Sequence, residues 1–222
     1  MNQSQSVFPG DVIVTGNYRP EQNVILDGDR LISTAIGFSE IKDDMVAVAP
    51  LTGLYSPSTD DLVIGKVISH NALSWEVDIN SYYPGILLAS DIFGKDYSAS
   101  RDDLSLKLNV WDIVLARIAN MGSSDPLITI AGEKLGRIDS GELIKISSTT
   151  IPHLTDSIIE TIEASTNSTI TVGQNGLIVL KCDNSTGLTK AIKSIKMIGM
   201  MWNDGSIDEK IQKFLDEGNW EN

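Results

Sequence analysis

Apolar positions along this chain fall mostly into short runs separated by Gly, Pro, Asn and Asp, the pattern of a strand-rich protein with many turns. Residues 7–50 hold Val12-Ile13-Val14, Val24-Ile25-Leu26, Leu31 to Ile36 and Met45 to Val48, with turn signals at Pro9-Gly10-Asp11 and Asp27-Gly28-Asp29. This predicts a small N-terminal β domain over residues 1–57, near the lower size limit for independent folding. The polar stretch Ser56-Pro57-Ser58-Thr59-Asp60-Asp61 connects it to a second set of strands. Residues 58–139 carry Leu62 to Ile68, Trp75-Glu76-Val77-Asp78-Ile79, Pro84 to Leu88, Val110 to Ile118 and Leu127 to Ile130. The Trp75 run alternates with period two, so it reads as a half-buried strand with Trp75 in the core beside Val77.

Five strands with one long polar connection, Ser90 to Asp103, predict a five-stranded barrel of the oligonucleotide-binding (OB) type. From residue 140 the pattern changes. Leu143 to Ile146 is a strand, and Ser157 with Glu160 forms a capping box that starts a helix bearing Ile158, Ile159 and Ile162. Gly173-Gln174-Asn175-Gly176 then turns between two β-branched runs, a strong hairpin signal. Leu188 to Met201 comes next as a helix with Ile192 and Ile195 inward. Ser206 and Glu209 cap a terminal helix carrying Ile211, Phe214 and Leu215, which Gly218 ends. Helix, hairpin and helix over residues 140–222 suggest a KH-type RNA-binding domain with an added C-terminal helix. The fold class is thus mainly β, with an α+β C-terminal part.

Composition narrows the function more than the fold. No apolar run approaches the length needed to cross a membrane, and the N-terminus has neither the basic region nor the apolar core of a signal peptide. A cytoplasmic protein with no membrane contact is expected. Cys182 is the one cysteine, so neither an internal disulfide nor a cysteine-based zinc site can form; with His70 and His153 as the two histidines, no metal and no cofactor are expected. The net charge is −13, and residues 1–60, 61–140 and 141–222 carry −5, −4 and −4. A protein that coats nucleic acid alone should be basic, so nucleic-acid contact here must come from local clusters or through a partner. No nucleophile elbow, Walker loop or metal-ligand spacing is present, and the paired aspartates at 43–44, 60–61 and 102–103 lie in turns or connectors. A catalytic role is not expected.

In order and spacing, Val7-Phe8-Pro9-Gly10-Asp11, Val63-Ile64-Gly65-Lys66-Val67, Trp75 to Ser81 with Tyr82-Tyr83, and Val172 to Gly176 together resemble the RNA-binding cap subunit of the archaeal exosome. That family is built from an N-terminal domain, an S1-type OB domain and a KH domain. The zinc-ribbon cap is a poor match, because one cysteine cannot build a ribbon. The resemblance implies a non-catalytic subunit. Its N-terminal domain would dock on a ring of phosphorolytic subunits, and three copies would form a homotrimeric cap. Mainly single-stranded RNA would thread through the cap for 3′-to-5′ degradation or trimming.

The chain departs from the pattern in two places. KH domains grip the RNA backbone with a Gly-x-x-Gly loop, and the matching segment, Ile151 to Ile158, has no glycine. S1-type domains stack bases on aromatic side chains, and those places hold Leu73, Glu76 and Leu88. The candidate RNA-binding residues are therefore Tyr82 and Tyr83 for stacking, Lys95, Arg117 and Lys134 for the backbone, the turn Gly173, Gln174, Asn175 and Gly176, and the helix face Lys190, Lys193 and Lys196. Each also has a plainer reading: a geometric turn for 173–176 and solvated charges for the lysines. Two alternatives stay open. One is a structural scaffold of the ring with little RNA binding of its own; the other is a free-standing OB/KH factor.

Overall fold

A computed structural model describes residues 5–42, 44–50, 54–121, 125–201 and 207–216. The chain separates into two compact units, Met1–Gly53 and Leu54–Asn222.

The first unit is all strand. β1 (Gln5–Val7), β6 (Gly37–Lys42), β7 (Met45–Pro50) and β3 (Arg19–Pro20) form one sheet in that order. β2 (Val12–Thr15), β5 (Arg30–Ser33) and β4 (Val24–Asp27) form a second. Val7, Val24, Leu31, Val46 and Val48 make its core. β4 and β5 join through Asp27-Gly28-Asp29, where Gly28 takes φ +67 as the turn signal requires. On the opposite face of the second sheet Val12, Ile32 and Ile25 stand side by side in register, with Val12 47% and Ile25 52% exposed.

The second unit opens with the barrel. Its strands are β8 (Leu62–His70), β9 (Ser74–Asp78), β10 (Gly85–Leu88), β11 (Ile113–Met121) and β12 (Pro126–Thr129); β12 pairs with both β10 and β11 and so closes it. The short helix α1 (Ala89–Phe93) follows β10, and β13 (Gly136–Ile138) adds an edge to β11. β13 lies outside the strands the sequence pattern predicts. β14 (Glu142–Lys145), β16 (Leu177–Cys182) and β15 (Ser168–Val172) form a three-stranded antiparallel sheet. Against it pack α2 (Asp156–Thr166), α3 (Ser185–Met201) and α4 (Ile207–Asp216). The architecture is OB-like barrel plus helix-covered sheet, mainly β as the pattern indicates.

Why the barrel and the second sheet share one unit is visible in the side-chain alternation. The run Leu62 to Val67 is apolar at nearly every position, the mark of a strand buried on both faces. Val63 and Val67 point into the barrel with Trp75, Val77 and Ile118. Ile64 and Leu62 point outward, into a second core with Leu115, Leu177 and Val179. β16 splits the same way: Leu177 and Val179 meet the barrel, while Ile178 and Leu180 meet the helices. Each such buried side chain contributes about 1.5–3 kcal/mol.

Three local expectations need correction. The N-cap of α2 is Thr155, whose hydroxyl accepts from Ile158 N at 3.4 Å, in place of Ser157. Thr155 is extended there, as a cap must be, while Ser157 is already helical. α3 begins at Ser185, where Asn184 Oδ1 accepts from Thr186 N. β11 begins at Ile113, which leaves Trp111 outside the strand. Ser206 and Gly218, the expected cap and stop of α4, lie outside the described residues.

The segment leading into β8 is pinned by Tyr55. Its amide donates to Asn80 O at 2.9 Å, and its buried hydroxyl donates to the Asp61 carboxylate. Burial first, then that hydrogen bond, push the Tyr55 hydroxyl above its ordinary value of 10.0. A raised folded-state value means this stability is intact below pH 10 and lost as pH rises further. Tyr55→Phe should therefore lower the melting temperature at about pH 8 by an amount that shrinks at about pH 11. A deficit that stays constant between the two would show that ionisation of Tyr55 plays no part.

Candidate nucleic-acid interface

Strand register places Leu62, Asp78, Gly85 and Arg117 toward one end of the barrel, and His70, Ser74 and Leu88 toward the other. At the first end the β9–β10 loop is tightly organised. Asn80 takes φ +59, a conformation asparagine tolerates, and its amide donates to Asp78 Oδ1 at 2.9 Å. Ser81 bridges to Tyr55, and its hydroxyl donates to Tyr83 O at 2.6 Å. This leaves Tyr82 79% and Tyr83 57% exposed, on a loop whose backbone is fixed. Arg117 stands on β11 opposite Leu62, exposed, with one guanidinium N–H donating to Asp60 O at 2.8 Å. An exposed guanidinium is a planar fork suited to phosphate. The structure thus brings Tyr82, Tyr83, Arg117 and the 173–176 turn to the same end.

The turn itself is occupied. β8 and β9 stop pairing at Lys66 and Asp78, which exposes backbone groups of Leu62, Ile64 and Ile79. The turn fills that gap. Gln174 N donates to Leu62 O at 2.7 Å, and Gln174 Oε1 accepts from Leu62 N at 2.5 Å. Asn175, 0% exposed, donates from Nδ2 to Ile64 O at 2.6 Å and to Ile79 O at 2.8 Å, and accepts from Ile64 N at 3.2 Å. Asn80 Nδ2 donates back to Asn175 O at 2.7 Å. Two side-chain amides here replace the rungs that a neighbouring strand would supply. A Cβ on Gly173 would collide with Asn175 Oδ1 and sit 2.8 Å from Ile64 N; Gly176 has φ +79 and faces Ile146 O. Of the residues expected from the sequence to touch RNA, Gly173, Asn175 and Gly176 are buried, in the turn that bolts the hairpin to the barrel. Gln174 is exposed, but its amide oxygen is spent on Leu62.

The other candidates scatter. Lys95 follows α1, toward the opposite end, and Lys134 lies exposed in the β12–β13 loop at φ +65. On α3, Lys190 and Lys193 are half-buried and engaged in contacts, while Lys196 is exposed. Where a Gly-x-x-Gly loop would be, a 3₁₀ turn over Ser148–His153 leads into buried Leu154. Leu73 and Leu88 are 64% and 42% exposed, and Glu76 accepts from Ser69 Oγ at 2.8 Å. Trp75 is fully buried, as the alternation requires.

A cleft of about 420 Å³ at the opposite barrel end is lined by His70, Tyr97, Arg101, Asp102 and Asp103 among others. The Arg101 guanidinium beside Asp102 holds that carboxyl below the usual range, and hydrogen bonds from Ser105 lower Asp103. In this cleft the Arg101 guanidinium is already paired, 3.1 Å from Asp102 Oδ2. Among the described residues no group of three metal-ligating side chains occurs, and no helix is long and apolar enough to cross a membrane. Sequence reasoning missed Trp111, which is 70% exposed with the Lys66 ammonium 4.8 Å from its ring centroid. The turn-forming Asn109 and Asp112 on either side are the signal that could have found it.

No family model matches this chain. It is 49% identical over 215 residues to the exosome complex component Rrp4 of Nitrosopumilus maritimus, covering 95% of each chain. It is 35% identical over 184 residues to the component of the same name from Pyrobaculum aerophilum, covering 80% of this chain and 78% of that one. Among solved structures, it superposes with a TM-score of 0.70 on a crystal structure described as an exosome complex RNA-binding protein. That chain is 33% identical, and the match covers 74% of this chain and 97% of that one.

Proposed function

This chain belongs to the family of the exosome complex component Rrp4, and on that premise we propose that it is a non-catalytic, cytoplasmic RNA-binding subunit of an exosome. Three copies form a cap on a ring of phosphorolytic subunits and guide single-stranded RNA into it for degradation or trimming from the 3′ end. The observation that carries this reading is the barrel end where two outward tyrosines stand on a rigid loop near Arg117, a stacking platform beside a phosphate-binding fork. The net charge of −13 does not oppose it. Three weak local sites around one entrance add avidity without any subunit being basic. The row of exposed Val12, half-buried Ile32 and exposed Ile25 gives the N-terminal unit an apolar face suited to docking on the ring.

The scaffold reading is favoured by one specific observation, the closure of the 173–176 turn onto the barrel. One experiment separates the readings. The full chain is mixed with phosphorolytic ring subunits, the complex is weighed by native mass spectrometry, and affinity for single-stranded RNA is measured with and without this chain. Three copies per ring and tighter RNA binding are expected. The double variant Tyr82→Ala, Tyr83→Ala should weaken that binding about tenfold, the range for loss of base stacking. A complex that forms but binds RNA no better than the ring alone supports the scaffold. Failure to join the ring removes the proposal.

A further inference from the structure

Trp111 occupies a backbone position that costs free energy and returns almost no burial. It has φ +81, a region in which bulky side chains are genuine outliers. The other described non-glycine residues with positive φ are Asn23, Asp60, Asn80, Lys134 and Asn167, so Trp111 is the one aromatic among them. The conformation is imposed from both sides. Trp111 N donates to Val67 O at 2.8 Å, and Val67 N donates to Asp112 O at 2.9 Å. Asn109 N donates to Asp112 Oδ2 at 2.8 Å. A glycine would satisfy this geometry without strain. The indole is nonetheless 70% exposed, with Leu106 80% and Val110 37% exposed in the same loop. Lys66, on β8 opposite Ile113, holds its ammonium 4.8 Å from the ring centroid.

We propose that Trp111 and Lys66 form a second base-stacking site for single-stranded RNA. Strain kept at a surface position without a packing return is the mark of a functional residue. An exposed indole stacks on any nucleobase, and a cation fixed beside it compensates the adjoining phosphate. Lys66 stands across from Asp78 in the β8–β9 register, yet its ammonium lies over the Trp111 ring, where it supplies a cation at the edge of an exposed aromatic surface. The site is distinct from the tyrosine loop: Lys66 lies along the strand from Leu62, at the point where Ile113 begins β11. It rests on the reading of the chain as an RNA-binding subunit.

The test is Trp111→Gly in the full chain assembled with the ring, using a single-stranded oligoadenylate. Removing a strained, exposed side chain should leave the melting temperature unchanged or raise it, while RNA affinity falls about tenfold and RNA-dependent tryptophan quenching is lost. Trp111→Tyr, which keeps a ring, should recover most of the affinity. Unchanged affinity in Trp111→Gly, with wild type binding normally, overturns this site and leaves the tyrosine platform standing. A lower melting temperature would make Trp111 a structural residue. Weakened ring association with intact RNA affinity would make it a protein contact. If the wild-type assembly binds no RNA beyond the ring's own, the site and the reading beneath it both fall.

Discussion

Asn175→Ala should lower the unfolding free energy by about 3 kcal/mol, at roughly 1 kcal/mol for each hydrogen bond whose buried partner is left unpaired. The side chain of Asn175 makes three such bonds, to Ile64 O, Ile79 O and Ile64 N, at a site with no solvent access. Alanine leaves one N–H and two carbonyls facing a void too enclosed for easy hydration. Asn175→Asp should be worse, because it removes both donors and places a charge against two carbonyl oxygens. Urea denaturation monitored by circular dichroism measures the effect. The loss should also reduce cooperativity between barrel and helix-covered sheet, since Gln174, the Asn80 bond to the residue 175 carbonyl and the shared apolar core would then hold them. A change below about 1 kcal/mol would mean that water replaces the amide, and the bolt would lose its energetic meaning.

Trp75→Ala should cost about 4 kcal/mol, within the range for emptying an aromatic site in a packed core. Trp75 is fully buried among Val67, Val77 and Leu87, and its indole N–H donates to Leu108 O at 3.0 Å. The loss therefore combines a cavity in the barrel with an orphaned carbonyl. Trp111→Ala is the internal control: at 70% exposure its removal should change stability by no more than about 0.5 kcal/mol. Equal losses from the two variants would contradict the burial assigned to each. The same urea titration reads both.

These two tryptophans also mark how far local pattern carries. Trp75 sits in an alternating run, so its inward position was legible from Val77 and Ile79 on the same face. Trp111 stands in Val110 to Ile118, where nearly every residue is apolar and alternation gives no direction. The strand was legible there, but its first paired residue, Ile113, was set by contact with Lys66. For the candidate site, exposure of Tyr82 and Tyr83 followed from a polar loop between strands. Its neighbourhood with Arg117, some way along the chain, required the barrel to close. The lysines of α3 show the converse. Their helical spacing was evident, while the engagement of Lys190 and Lys193 was set by tertiary neighbours.

Sequence alone determined the strand-rich class and the order of barrel and helix-covered sheet, because the transfer free energy of a side chain and its periodicity are local properties. Only the tertiary structure decided what the Gly173-Gln174-Asn175-Gly176 turn does. A tight turn and a nucleic-acid contact require the same residues there, and the choice depends on which groups meet Asn175. Its partner Ile64 lies 111 residues away, and that hydrogen bond exists only once β8 and β9 diverge and leave their backbone unpaired.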